Sequence, residues 1–295
     1  MSRNFLLFGV MCLVWGLTWL PVKVAGQHVP PVFFAAARFV IAAPLLLAFA
    51  SRSRLVSPLP HLGRLAASGL LINTGCYSFL FWGVTHAPTG LSAIVNMSLI
   101  PVFTILFAWA YGQEGLDRRK LIAIVLGVAG LILLYSGRLP GIGTPDPQQA
   151  LGLGAIVIAT ASYCWGAILS KPLMQDFGPV ALAGWQATVG ALSLTLVSLV
   201  LEPVTPAHVA ALFAWPTVAA LAFMIFGGTF LAFLIYLKLL RDWGAFRAGL
   251  YAFVSPFIAV LVGTLALAEP LGWREITGGG IMLGAAALAI RSRKG

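Results

Sequence analysis

Ten apolar runs of about 20 residues divide this chain, near 4–24, 31–50, 64–85, 89–111, 120–136, 151–171, 179–201, 216–237, 245–268 and 276–291. A run of that length crosses the hydrocarbon core of a bilayer as a helix. Barrel strands would be about ten residues long with polar alternation, which these runs lack, and open sheets leave backbone groups unpaired in lipid. Composition agrees: 60% of residues are hydrophobic, 9% are charged, and mean hydropathy is +0.98. A soluble domain carries roughly 25% charged residues. The expected fold is an all-α integral membrane protein with ten transmembrane helices and no separate soluble domain. The first run holds Trp15, Trp19 and Lys23 and lacks a small-residue cleavage site, so it is expected to remain as helix one rather than leave as a signal peptide.

Lys and Arg fall unevenly between alternate loops. One side holds Arg3, Arg52, Arg54, Arg64, Arg118, Arg119, Lys120, Lys171, Lys238, Arg241, Arg247, Arg291, Arg293 and Lys294; the other holds Arg138 and Arg274. The positive-inside rule then places both termini in the cytoplasm. This topology also accounts for the net charge of +10 and pI of about 10.1, so no nucleic-acid partner is expected.

The chain repeats itself. Pro101, Glu114, Leu116 and Arg119 recur as Pro256, Glu269, Leu271 and Arg274, each 155 positions on. Trp15-Gly16 ahead of Pro21 is echoed by Trp165-Gly166 ahead of Pro172, and Pro31-Val32 by Pro179-Val180; Arg38 then lies opposite Gln186. The expected organisation is a five-helix repeat over 1–136, an external linker rich in Pro and Gly over 137–150, and a second repeat over 151–295. Five helices per unit invert the copy across the membrane, which suits exchange between inward and outward conformations.

These marks together resemble the drug/metabolite transporter superfamily, in its ten-helix branch of twin five-helix units. The residues that carry the resemblance are Trp15-Gly16, Ala37-Arg38-Phe39 and the segments Pro101 to Glu114 and Pro256 to Glu269. It implies a central cavity, alternating access and export of small metabolites or amino acids from the inner membrane. Among its members the chain looks most like bacterial exporters of aromatic amino acids.

The residues make their own case for a substrate path. A proline inside a helix frees the carbonyl four residues earlier, so Pro101 releases Met97 and Pro256 releases Ala252. Such carbonyls normally face protein or a water-filled cavity, so each proline reads as part of a substrate path or as a packed kink whose gap a Ser or Thr hydroxyl covers; Asn96 stands beside the first. Arg38, about two turns inside helix two, and Lys23 read either as ligands for a substrate carboxylate or as cations snorkelling to headgroups. Trp15, Trp19 and Lys23 share one helix face. Tyr77, Trp82, Tyr163, Trp165, Trp185, Gln186 and Tyr251 are further candidates for the cavity wall, the aromatic ones alternatively anchoring at the interface.

Glu114 and Glu269 stop their helices at opposite faces, where a carboxylate opposes the helix dipole and needs a partner; Arg119 and Arg274 are the expected ones. They read as gate latches or as interfacial stops. Gly227-Gly228 reads as a bending point or a close packing contact. No Asp or Glu falls mid-helix, which argues against proton antiport and for facilitated movement. Cys12, Cys76 and Cys164 are isolated and the histidines scattered, with neither metal spacing nor a phosphate-binding loop. No enzyme activity or cofactor is expected; the partners are a small-molecule substrate and the bilayer, with the chain a monomer or homodimer. Efflux of toxic organic compounds is the rival function.

Overall fold

The computed structural model describes residues 3–51, 57–87, 89–136, 147–267 and 272–290. Its regular secondary structure among these residues is all helical, and seven of its helical stretches are long and apolar enough to cross a membrane. Glu269 and linker residues 137–146 lie outside the described residues, as do the side chains of Trp19 and Lys23.

The first apolar run is two helices, α1 (Arg3–Leu17) and α2 (Trp19–Ala25), where one was expected. Pro21 has no N–H for the carbonyl of Leu17, and the Thr18 hydroxyl donates to the Trp15 carbonyl at 2.6 Å, so the ladder bends here. Next comes α3 (Pro31–Ser51). The third run is α4 (Leu62–Gly69), a π-helical stretch Leu70–Gly75, and α5 (Cys76–His86). Then follow α6 (Thr89–Ala110), α7 (Arg118–Tyr135), α8 (Pro147–Leu173) and α9 (Gly178–Leu201). α8 starts within the expected linker, because Pro147 suits the first helical turn, where its missing N–H costs nothing. A short α10 (Pro206–Ala211) leads to α11 (Trp215–Ala222), a second π-helical stretch Phe223–Phe233 and α12 (Leu234–Trp243). The chain ends with α13 (Ala245–Gly249), α14 (Tyr251–Leu267) and α15 (Trp273–Ile290).

Packing joins the two halves of the sequence. α3 lies along α9, α7 along α15, α5 and α6 against α8, and α1 against α14 and the second π-helical stretch. α7 and α15 meet through glycine: a Cβ on Gly278 would stand 2.6 Å from the Gly130 carbonyl oxygen, and one on Gly130 would stand 2.8 Å from that of Gly278. In a bilayer, where lipid is as apolar as leucine, such close backbone contact holds helices together. Gly280 and Gly284 have nothing of the chain beside them within 4 Å. Between the halves the core closes over fully buried Tyr236, Phe246 and Phe253.

A carboxylate ties helix ends across the bundle. Glu202, just past α9, accepts the N–H groups of Val32 and Phe33 at 2.8 and 2.7 Å, and the Ser198 hydroxyl at 2.9 Å. It satisfies donors that the first turn of α3 leaves without intrahelical partners.

Candidate functional site

A cavity of about 220 Å³ opens where the halves meet, walled by α1, α3, α5, α6, α8, α9, α14 and both π-helical stretches. Its wall is largely apolar, with a few polar groups set into it. Both π-helical stretches contribute: Asn73 comes from the first, Gly228 and Thr229 from the second. A π-helical insertion displaces backbone and side chains from α-helical register, and such insertions recur at functional sites.

Among the described residues Arg38 is the one cation on this wall, and it is buried. Its Nε donates to Thr229 Oγ1 at 2.9 Å and its Nη1 to the Tyr77 hydroxyl at 3.0 Å. The Thr229 proton is committed to the Met224 carbonyl at 3.1 Å, so its oxygen is left to accept from Arg38. The guanidinium carbon stands 5.0 Å from the Phe39 ring centroid and 5.9 Å from that of Tyr77, within cation–π range. Gly228 leaves the Nη2 side open; a Cβ there would lie 3.6 Å from Nη2. Among the described residues no Asp or Glu pairs with Arg38, and no Asp or Glu lines the cavity. A buried charge held by neutral partners is costly unless an anion joins it.

Aromatic rings form another part of the wall. Trp15 packs edge-on to Tyr251 at 4.3 Å between centroids and lies 5.4 Å from Tyr236, which Tyr163 approaches at 6.0 Å. Tyr77 bridges Phe39 and Phe81 at 5.8 and 5.6 Å. These are the separations of offset and edge-to-face ring pairs.

Of the residues singled out from sequence, the structure gathers Trp15, Arg38, Tyr77, Asn96, Met97, Tyr163, Gln186, Gly228, Tyr251 and Pro256 around the cavity. It takes others elsewhere. Trp82 is exposed and stacks on His86 at 4.2 Å, and Trp165 is exposed and donates its Nε1 proton to the Tyr111 hydroxyl at 2.8 Å. Trp185, Gly227 and Pro101 do not reach the wall, and Ala252 is packed wholly inside the core. Helical rotation explains these: with 3.6 residues per turn, neighbours of a lining residue turn away from the cavity. Thr229, Asn73 and Phe81 were not anticipated, and the only signal for Thr229 was its place beside Gly227-Gly228.

Glu114 is tied at the far end of α6, though not by Arg119. Lys120 Nζ donates to Glu114 Oε2 at 3.2 Å, while the Arg119 backbone N–H goes to Asp117 Oδ1 at 2.5 Å. Asp117 caps α7, and this places residue 120 rather than 119 on the side facing Glu114. Glu114 Oε1 also accepts the N–H groups of Ala245, in a short contact, and of Phe246 at 3.2 Å. Gly244, at φ +93°, turns the chain so that those amides face it; a Cβ there would stand 2.5 Å from Glu114 Oε1.

Membrane-length helices that enclose a cavity between two halves of the chain, with a buried cation and an aromatic wall, define a membrane transporter of small molecules. The EamA-like transporter family profile matches residues 3–136 and 151–291, and the chain belongs to that family, within the drug/metabolite transporter superfamily. Its relatives include the Escherichia coli protein named "Uncharacterized inner membrane transporter YedA", 28% identical over 96% of this chain and 90% of that protein. Another is a Salmonella typhimurium protein named "Probable amino-acid metabolite efflux pump", 27% identical over 91% and 88%. A solved crystal structure shares the fold at a TM-score of 0.80, covering 98% of this chain and 96% of that one at 22% identity.

Proposed function

We propose that this chain is an inner-membrane exporter that moves aromatic or other bulky apolar amino acids and related small metabolites outward by alternating access. The observation that carries this reading is Arg38: a buried guanidinium, facing an aromatic-walled cavity, with no acidic partner among the described residues. A substrate carboxylate supplies the missing charge through charge-assisted hydrogen bonds to the free guanidinium edge, and the rings receive its apolar side chain. The volume of about 220 Å³ suits one small metabolite, below the roughly 300–1,000 Å³ usual for drug-sized ligands. With no carboxylate on the wall among the described residues to carry a proton, movement is facilitated and follows the substrate gradient. The name of the Salmonella relative, a probable amino-acid metabolite efflux pump, supports export of amino-acid metabolites as a class.

The mechanism uses ten spans in two inverted five-helix repeats, 1–136 and 151–295, joined by an external linker at 137–150, with both termini cytoplasmic. Three observations support it. The two stretches matched by the family profile, 3–136 and 151–291, coincide with the repeats. The π-helical stretches Leu70–Gly75 and Phe223–Phe233 overlap when shifted by the interval from Pro101 to Pro256. Packing is reciprocal too: α3 on α9 and α7 on α15 each pair equivalent helices, and α5 on α8 is mirrored by α12 on α1. Glu114 latches one face by holding α13; the protein works as a monomer or homodimer.

The test is uptake of labelled tryptophan into proteoliposomes, with and without a pH gradient, for the wild type and Arg38→Gln. Uptake that equilibrates without a gradient is expected, with half-saturation raised about tenfold or more in the variant, the worth of one charged hydrogen bond. Transport indifferent to the carboxylate and to Arg38→Gln would instead favour efflux of toxic organic compounds.

A further inference from the structure

Three carboxamides line the cavity, Asn73, Asn96 and Gln186, and each is nine-tenths buried or more. Which end of each amide faces its protein partners follows from counting protons. Gln186 contacts the hydroxyls of Ser68 at 2.9 Å and Ser170 at 2.7 Å. Both hydroxyls already donate to backbone carbonyls, Ser68 to Leu65 and Ser170 to Gly166, so toward Gln186 they only accept. The NH₂ end of Gln186 therefore faces the serines. Asn96 faces Thr160 at 2.9 Å, and the Thr160 proton goes to the Ile156 carbonyl, so again the NH₂ end is the inner one. Asn73 faces the Gln186 backbone carbonyl at 2.8 Å, which can only accept.

All three amides are thus oriented with their nitrogens tied to protein. Their oxygens receive no hydrogen bond from any described residue, and Gln186 Oε1 is buried without a partner. A buried acceptor left unmatched, as Gln186 Oε1 is, is rare in folded proteins and expensive. All three carboxamides belong to the wall that also carries Arg38. We infer that the oxygens of Asn73 and Asn96 form the acceptor side of the binding site and receive the ammonium group of the substrate while Arg38 takes its carboxylate. The inference rests on the reading of Arg38 given above and sharpens it: the preferred cargo is a zwitterion, and an acid lacking the amino group is discriminated against. Neutral oxygens suit this task. They hold an ammonium without adding a negative charge that would pair with Arg38 and empty the site of its use.

Binding to purified full-length protein separates the claims, with L-tryptophan and 3-(indol-3-yl)propionate as probes, the second differing only by loss of the α-amino group. The wild type is expected to bind tryptophan about tenfold tighter or more, the scale of hydrogen bonds to a charged group. In Asn96→Leu and Asn73→Leu that ratio falls toward one while affinity for the propionate holds, which also shows that the variants fold. Equal affinities in the wild type, or a ratio that survives both substitutions, would overturn the acceptor site and leave the Arg38 reading intact. Tight binding of both probes that requires sodium would also overturn it, by giving the oxygens to an inorganic cation. Failure of both probes to bind wild type, with Arg38→Gln without effect, would remove the carboxylate reading and this inference with it.

Discussion

Replacing Glu114 by alanine tests whether this carboxylate holds α13 in place. Its side chain is only 14% exposed, and three donors converge on it: Lys120 Nζ at 3.2 Å and the N–H groups of Ala245 and Phe246. Loss of a helix N-terminal acceptor costs about 1 kcal/mol. Loss of a charged hydrogen bond at this burial costs about 1.5 kcal/mol, near the low end because Lys120 keeps the Gly115 carbonyl at 2.8 Å. Together these come to about 2.5 kcal/mol, a population shift of roughly 60-fold toward states in which the segment is open. Hydrogen exchange followed by mass spectrometry reads this directly, because amides exchange through such openings. The Ala245 and Phe246 amides of Glu114→Ala should exchange about 60-fold faster, and those of Glu114→Gln less so, since its amide oxygen still accepts. Transport should change in step if the contact is made and broken during the cycle. Unchanged exchange would refute the account of how α13 is held; faster exchange with unaltered transport would refute the gating role and leave a structural cap.

Gly278→Leu should separate α7 from α15, since even a Cβ would stand 2.6 Å from a backbone oxygen that cannot move aside; a loss of about 1–3 kcal/mol, read as a lower unfolding temperature in detergent, is expected, whereas Gly284→Leu should be silent. Thr229→Val removes the acceptor for Arg38 Nε at nearly constant shape. It should weaken tryptophan binding about three- to tenfold while leaving thermal stability within about 1 kcal/mol, and unchanged binding would show that Arg38 needs no positioning by Thr229.

Much of the site was legible in the sequence because a cation or a carboxamide within an apolar run is expensive in lipid and has to face protein or a cavity. Arg38 stood out for that reason, Asn96 for its place beside the Pro101 kink and Gln186 for its place opposite Arg38 in the repeat, and the structure sets all three on one wall. Aromatic residues gave a weaker signal. Trp15, Tyr163 and Tyr251 meet around the cavity while Trp82 and Trp165 turn outward, and no spacing within one helix distinguishes the two groups, because the choice depends on how each helix is rotated against its neighbours.

What the amino-acid sequence determined by itself is the class of structure: its apolar runs are too long and too dense for a water-soluble core, and in lipid the backbone has to close its hydrogen bonds within each helix. Only the tertiary structure decided partners. It gave Glu114 to Lys120 and the start of α13 instead of Arg119, joined Thr229 to Arg38 across 191 residues of sequence, and inserted the π-helical turns that bring Asn73 and Thr229 to the cavity. Those outcomes depend on helix rotation and on fractions of a turn, quantities that a pattern of apolar and polar letters does not contain and that packing between the two halves supplies.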